Sequence, residues 1–249
     1  MSRSEAVKFI LIRSLGNFLL LFALYGVIAT FGPAVYYEAR FWVIEARGVQ
    51  FTVGGYHTTP VQSSAGVNST ALHPHPNPLP SKEREDPGFA QILAGPKEQV
   101  LIPKDTQFSI VIPKIGASAK IFPNVDPDNP NEFMPILLQG IAHAKGSVFP
   151  GMPGNVYLFA HSTDTWFDVG RYNAVFYLLH DLAPGDEIVI FYQNKRYEYS
   201  VDHSVITGPN DVSFIARDHN GPEQLVLQTC WPPGTALERY YVIAKPKGI

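Results

Sequence analysis

The sequence contains the segment Leu225-Val226-Leu227-Gln228-Thr229-Cys230, followed at once by Trp231-Pro232-Pro233-Gly234. The first part is apolar and predicts a buried β-strand. The second part must leave the sheet, because proline cannot donate a ladder hydrogen bond. Cys230 is the single cysteine of the 249-residue chain. A lone cysteine is more often a buried small apolar residue than a nucleophile, but a thiol at the end of a strand is able to face a cleft.

Short apolar runs separated by Gly, Pro, Asn and Asp continue outward from this strand in both directions. They predict seven or eight strands between position 99 and the C-terminus, within a chain that contains 22 Pro and 20 Gly. The predicted strands lie at 107–115, 119–122, 154–160, 186–192, 197–206, 224–230 and 239–245, with a short helix or 3₁₀ turn at 174–182. This pattern favours an all-β barrel that is closed or nearly closed, since closure removes exposed strand edges.

The N-terminal part has a different composition. The uncharged run from Ser14 to Tyr37 is longer than the about 20 residues that a helix needs to cross a bilayer. It is also longer than the apolar core of about 7 to 15 residues in a cleavable signal peptide, which is the competing interpretation. Arg3, Lys8 and Arg13 precede the run, so the positive-inside rule predicts a cytoplasmic N-terminus. We therefore expect a single-pass protein of the cell membrane with its β domain outside the cell.

Composition divides the chain into three parts. Residues 1–50 are predicted to hold the cytoplasmic N-terminus, the transmembrane helix and a juxtamembrane segment; 51–98 a Pro/Ser-rich linker; and 99–249 the β domain. A net charge of −3 gives no indication of a nucleic-acid partner. A single cysteine excludes an internal disulfide and a thiolate-rich zinc site. Two linker histidines, His73 and His75, are interpreted as solvated residues, so no metal site is predicted.

Two residues are candidate partners of the thiol. His161 ends the predicted strand 154–160, and Arg239 begins the strand that follows the loop after Cys230. A thiol has a pKa of about 8.5, so nucleophilic work requires a neighbouring base or positive charge. A hairpin-like return of the chain would bring the Arg239 guanidinium beside Cys230. Taken singly, a histidine at a strand end is more often structural, and an arginine there is usually solvated.

Several patches in the correct order resemble the sortase family, across positions 108–246. The family signature T-L-x-T-C is matched by 226–230, with Val226 in place of the first threonine. Positions 112–116 resemble its I-P-x-I-G strand, positions 182–186 its L-x-x-G-D stretch, and 151–162 its P-G-x-x-G-N…G-H segment, with Ala160 in place of glycine. Arg239 also occupies the expected place after the cysteine. The departures at Val226 and Ala160 concern substrate fit more than chemistry.

The resemblance implies a fold and an activity. The fold would be an all-β, closed eight-stranded sortase-type β-barrel with short helices, preceded by one N-terminal transmembrane helix. The enzyme would be a cysteine transpeptidase that cleaves an LPxTG-like C-terminal sorting signal of a secreted protein after Thr. Its partners would be that protein and an amine acceptor, either a peptidoglycan precursor or a pilin lysine. Cys230, His161 and Arg239 would be catalytic, with Thr229 as a tentative substrate or oxyanion contact.

Several alternatives stay open at this stage. His143 and Asp164 are weighed as site residues, with a structural role favoured for the first and a loop position at least as probable for the second. No cofactor is required, although Asp126, Asp128 and Glu132 would suit Ca²⁺ if they were not ordinary turn residues. From another functional class, an inactive membrane-tethered β-barrel that binds wall or pilus components would share the fold.

Overall fold

Short strands account for most of the chain after its N-terminal helix. The computed structural model of the protein describes residues 3–54, 98–162, 175–215, 221–233 and 235–248. The first half of these residues contains the elements α1 (Arg3–Ala46), β1 (Gln50–Val53), β2 (Glu98–Leu101), β3 (Phe108–Ile112), a 3₁₀ helix (Pro113–Ile115), β4 (Ala117–Val125), α2 (Pro130–Leu137) and β5 (Ile141–Ala144). The second half contains β6 (Asn155–Phe159), a second 3₁₀ helix (Tyr177–Asp181), β7 (Glu187–Tyr192), β8 (Lys195–Thr207), β9 (Gln224–Trp231) and β10 (Glu238–Pro246).

Eight of the strands form a closed barrel in the order β10-β8-β7-β3-β4-β5-β6-β9. The pairs β4–β5 and β6–β9 are parallel, and the other barrel pairs are antiparallel. The predicted closed eight-stranded all-β barrel with short helices is therefore confirmed. Of the eight barrel strands, β5 has no counterpart among the strands predicted from sequence, because its four residues include His143 and two alanines and carry a weak strand signal. The strands β1 and β2, which lie outside the barrel, were not predicted either.

Alternate residues of the strands supply two apolar clusters on opposite faces of the sheet. The interior cluster draws on all eight barrel strands and includes Ile110, Ile121, Leu158, Leu227 and Val242, all of them fully buried. The exterior cluster covers only one side of the barrel, where α2 and Phe214 pack over it; it includes Val125, Ala142, Tyr157, Val226 and Tyr241. On β6, β9 and β10, successive side chains therefore point alternately to the interior and the exterior cluster.

The hairpin between β7 and β8 has a tight two-residue turn. Gln193 and Asn194 have φ values of 50° and 61°, so both central residues lie in the left-handed region that a type I′ turn requires. The Asn194 side chain then accepts hydrogen bonds from the Thr106 hydroxyl at 2.6 Å and from the Gln107 amide at 3.1 Å. These contacts attach the hairpin turn to the segment just before β3.

The N-terminal helix is long and packs against the barrel at its far end. Within α1, Val7–Ala29 is long and apolar enough to cross a membrane by length and composition. The helix continues past Tyr37, where the uncharged run ends, and reaches Ala46. Phe41 is buried, and the Lys114 ammonium donates to the Glu45 carboxylate at 2.7 Å. The distal end of the helix is thus in contact with the barrel.

A small two-stranded sheet packs on the outer surface of the barrel. β1 and β2 pair in parallel, and Val53 and Leu101 pack on Val111, Val189 and Phe191 at the outer surface of β3 and β7. Residues 55–97, which make up most of the predicted linker, lie outside the described residues. The division of the chain at positions 50 and 98 therefore stays a prediction.

Replacement of Leu158 by alanine tests the interior cluster. Leu158 is fully buried on β6, so Leu158→Ala is expected to lower the free energy of unfolding by about 2–5 kcal/mol through lost burial and a residual cavity. Urea denaturation of the protein in mild detergent, followed by near-ultraviolet circular dichroism, measures this change. Leu237→Ala is the control, because Leu237 is 69% exposed and should have little effect. Equal midpoints for the two variants would contradict the assigned core.

The buried His143 gives the barrel a pH-dependent stability. Its Nδ1 accepts the Asn124 N–H at 3.3 Å and its Nε2–H donates to the Val148 carbonyl at 3.0 Å, so the ring is held neutral. Burial lowers the pKa of His143 below its usual 6.5. The unfolded chain therefore binds more protons below about pH 6.5, and stability is complete above that pH and falls on acidification.

We expect the urea midpoint of the wild type to drop between pH 7.5 and 5.5. His143→Gln can keep both hydrogen bonds through its amide but has no titrating group, so its midpoint should depend less on pH over that interval. The measurement is a pair of denaturation curves at the two pH values for each protein. Parallel losses of stability in wild type and variant would show that His143 is not responsible.

Candidate active site

Cys230 and Arg239 lie opposite each other on adjacent antiparallel strands. They are direct partners in the β9–β10 register, after the loop from Pro232 to Leu237 reverses the chain. One guanidinium nitrogen of Arg239, Nη1, lies 3.8 Å from the Cys230 sulfur. The same nitrogen donates to the carbonyls of Ala236 at 3.3 Å and Glu238 at 3.2 Å. The loop backbone therefore holds a positive charge beside the single thiol.

His161 reaches the same edge of the barrel from the other side of β9. The β6–β9 pairing is parallel and places Phe159 beside Gln228, and the Ala160 N–H then donates to the Gln228 carbonyl at 3.2 Å. Two residues further along both strands, this register brings His161 level with Cys230. The structure thus brings together the strand ends that carry His161, Cys230 and Arg239, as the sequence predicted. Their catalytic roles stay a prediction.

Strand alternation places the three side chains on one face. Residues an even number of positions apart on a strand point to the same face. Cys230 therefore shares a face with Val226, His161 with Tyr157, and Arg239 with Tyr241. Val226, Tyr157 and Tyr241 all belong to the exterior cluster. Cys230, His161 and Arg239 are each half-buried. The three residues therefore lie on the outside of the barrel at the end of the exterior cluster.

The Thr229 side chain points to the opposite face, toward the barrel interior, and has a structural role. Its side chain is 3% exposed, and its hydroxyl donates to the Ala160 carbonyl at 3.1 Å. This bond ties β9 to the end of β6, directly between Cys230 and His161. Thr229 thus positions the two strand ends through its side chain. Any contact between Thr229 and an oxyanion would have to come from its backbone.

Two tyrosines and a glutamine form a polar support behind the site that the sequence did not reveal. The Tyr157 hydroxyl donates to the Gln228 side chain at 3.2 Å, and the Tyr241 hydroxyl donates to the Asp211 carbonyl at 3.1 Å. Burial raises the pKa of both tyrosines, so they stay neutral donors at physiological pH. Only the parity of the strands would have pointed to this group, because each residue alone resembles an ordinary core or strand residue.

The other residues weighed from sequence lie elsewhere. His143 is buried among core aromatic rings on β5, 4.5 Å from the Phe149 ring centre, which agrees with a structural role. Asp126, Asp128 and Glu132 interact with their own turn: the Asp128 N–H donates to Asp126 at 3.0 Å, and the Asp126 N–H donates to Glu132 at 3.1 Å. Asp164 lies in the segment 163–174, outside the part of the chain that the structure describes.

The family model of the sortase domain matches residues 110–247, which is more than half of the chain. This range contains the barrel from β3 to β10 and all three candidate catalytic residues. The chain therefore belongs to the sortase family.

The chain is also similar to several individual proteins. The chain is 28% identical over 137 residues to Sortase D of Bacillus subtilis (strain 168), an alignment that covers 54% of this chain and 60% of that protein. Among solved structures, a Clostridium perfringens Sortase D5 transpeptidase is 26% identical, with a TM-score of 0.46 over 58% of this chain and 80% of its own. Sortase C-1 from Actinomyces oris is 23% identical, with a TM-score of 0.49; the match covers 59% of this chain and 77% of that one.

The contact between Arg239 and Cys230 predicts a cation-dependent thiol reactivity. Arg239→Met keeps much of the side-chain length but removes the charge that favours a thiolate. In this variant we expect alkylation of Cys230 by iodoacetamide at pH 7 to be about three- to tenfold slower than in the wild type. Arg239→Lys keeps a positive charge, so its alkylation rate should fall by less. Mass spectrometry of the intact protein measures the rate, with no ambiguity of site because the chain has one cysteine.

The control variant is Arg196→Met, which removes a cation that is paired with Glu198 on β8. It should alkylate at the wild-type rate. A wild-type rate in Arg239→Met as well would mean that the guanidinium does not act on the sulfur.

Proposed function

We propose that this protein is a membrane-anchored cysteine transpeptidase that cleaves an LPxTG-like sorting signal after Thr and transfers the acyl group to an amine. The observation that carries the proposal is the 3.8 Å contact between the Arg239 guanidinium and the Cys230 sulfur, with the His161 strand end on the adjoining strand. Family membership supports the reaction class, because sortases are transpeptidases. The substrate and the acceptor belong to the proposal.

In the first half of the reaction, the Cys230 sulfur attacks the carbonyl carbon that follows the substrate threonine. A tetrahedral oxyanion forms and collapses to a thioester as the C–N bond breaks. The leaving amine takes a proton from His161, which acts as the general acid, a role that typically contributes about 10²–10⁴-fold. The signal's C-terminal fragment departs, and the rest of the secreted protein stays attached to the sulfur.

Arg239 is the electrostatic group of the site. Its guanidinium donates to the carbonyl of the loop residue Ala236 and to that of Glu238 at the start of β10, so it needs little reorganisation when negative charge develops. In the resting enzyme it favours the thiolate. In the tetrahedral state it donates to the oxyanion or to the substrate backbone beside it.

The second half of the reaction runs in the opposite direction. His161, now a base, takes a proton from an incoming amine, whose nitrogen attacks the thioester carbonyl. A new amide bond forms, the C–S bond breaks and the Cys230 thiolate is restored. The amine belongs to a peptidoglycan precursor or a pilin lysine, both of which lie outside the cell. A cytoplasmic N-terminus and an extracellular barrel, joined by the apolar helix, suit such substrates.

The test is a transfer reaction with the full-length protein in detergent micelles. A library of LPxTG-type peptides is incubated with an amine nucleophile, and the products are identified by mass spectrometry. We expect cleavage after threonine with capture of the amine. Cys230→Ala should abolish it, His161→Gln should reduce it by about 10²–10⁴-fold, and Arg239→Met by about 10²–10³-fold.

His203→Gln is the matched control, because His203 is exposed on β8 and contacts Asp202 at 2.8 Å. It should retain wild-type activity. If no peptide gives product and Cys230 also resists a substrate-mimicking vinyl sulfone, the chain is an inactive membrane-tethered barrel that binds wall or pilus components.

A further inference from the structure

A second cluster of titratable groups lies where the N-terminal helix meets the barrel. Glu38 comes from α1, and His180 and Asp181 come from the second 3₁₀ helix. The His180 Nε2 lies 3.5 Å from a Glu38 oxygen and 3.7 Å from an Asp181 oxygen. One atom of each residue lies within 4.8 Å of the other two, and all three side chains are partly buried. In the described part of the chain, no other group of three such ligands is this close.

The hydrogen bond on the far side of the His180 ring fixes its tautomer. Nδ1 lies 3.0 Å from the Tyr177 carbonyl, which accepts only, so Nδ1 carries the proton. In the neutral ring, Nε2 therefore presents a lone pair toward two carboxylates. The Asp181 oxygen nearest to it is shielded from solvent and accepts no hydrogen bond. Three ligand atoms thus lie within 4.8 Å of one another, an arrangement that either a proton on Nε2 or a bound metal cation stabilises.

From this convergence we propose that Glu38, His180 and Asp181 bind a divalent transition-metal ion of the Zn²⁺ type. Zinc bonds of about 2.0–2.1 Å to nitrogen and oxygen put tetrahedral ligand atoms about 3.4 Å apart. The two distances from Nε2, 3.5 and 3.7 Å, are close to that value. An imidazole with two carboxylates suits zinc better than calcium, which takes oxygen ligands alone.

The surroundings of the cluster match those of a metal-binding histidine. Ligating histidines almost always donate their other ring N–H to a carbonyl or carboxylate, as His180 does to Tyr177. Three protein ligands leave a fourth position for water. Lys114 binds Glu45 at 2.7 Å and so belongs to a separate ion pair at the same junction.

The bound ion would fasten the barrel to the end of its membrane helix. Glu38 is one residue beyond Tyr37, whose ring packs 6.1 Å from Tyr177, and the His180 ring lies 5.4 Å from that of Trp231. Trp231 directly follows Cys230. The metal would therefore restrain the helix at a position that adjoins the strand of the nucleophile, without contact with the reacting atoms.

The experiment measures metal binding by the full-length protein without a histidine tag, in detergent micelles after removal of metal with a chelator. Every protein carries Cys230→Ala, so that the thiol does not contribute. Zinc affinity is measured by competition with a chromophoric chelator, and Co²⁺ replaces Zn²⁺ to give the visible absorption of a tetrahedral site. Glu38→Gln, His180→Gln and Asp181→Asn remove one ligand each, and His203→Gln is the matched control.

We expect one Zn²⁺ equivalent to bind in the parent and in His203→Gln, and the affinity for that equivalent to fall by about tenfold or more in each ligand variant. The Co²⁺ absorption should weaken in the same three proteins. Apart from His203 in the control, the histidines outside the cluster are common to all of these proteins, so a loss of affinity confined to the ligand variants reports this cluster. Near-ultraviolet circular dichroism without metal identifies any ligand variant that misfolds. The zinc affinities of the other ligand variants then test the site. Equal affinity in the ligand variants and the control, or no Zn²⁺ binding by the parent, would overturn the site.

Discussion

The parallel pairing of β6 with β9 is the constraint on which the rest of the structure depends. These strands are far apart in the sequence, and their ladder closes the barrel between β5 and β10. Closure removes the sheet edges that would otherwise be open to other chains. The same ladder sets the register by which a histidine at the end of one strand is level with a cysteine at the end of the other. Thr229 secures that end with a buried hydrogen bond to Ala160.

The side chains described around Cys230 are mostly neutral. In the described residues at this edge, Arg239 contributes the cation beside the sulfur, and neutral donors and apolar side chains support it. Tyr157 and Tyr241 remain protonated because burial opposes their ionisation, so their hydroxyls hold strands and loops without adding charge. A cation 3.8 Å from a sulfur favours the negatively charged form of a thiol. This arrangement suits the proposed role of Cys230 as a nucleophile.

Sequence alone identified the parts of the fold that have a local signal. Cys230 and His161 were recognisable because each ends an apolar run before a polar or proline-rich segment, and Arg239 because it starts the next run. The β5 strand was missed because its four residues lack β-branched bulk apart from Ile141. Contacts between distant segments have no local signal. Glu38 and His180 lie on different elements, and only the packing of α1 on the barrel reveals that they meet.

The length of α1 has a consequence for where the enzyme can work. With Val7–Ala29 in the bilayer, the helix continues without interruption to Ala46, a further rise of about 25 Å at 1.5 Å per residue. Such a helix is a rigid rather than a flexible connection, because its far end packs on the barrel through Phe41 and Glu45. The barrel edge that carries Cys230 would then be held at a nearly constant height above the lipid surface. Under the proposed function, both substrates would have to reach that height, so the length of the rigid helix would limit which membrane-attached chains can meet the thiol.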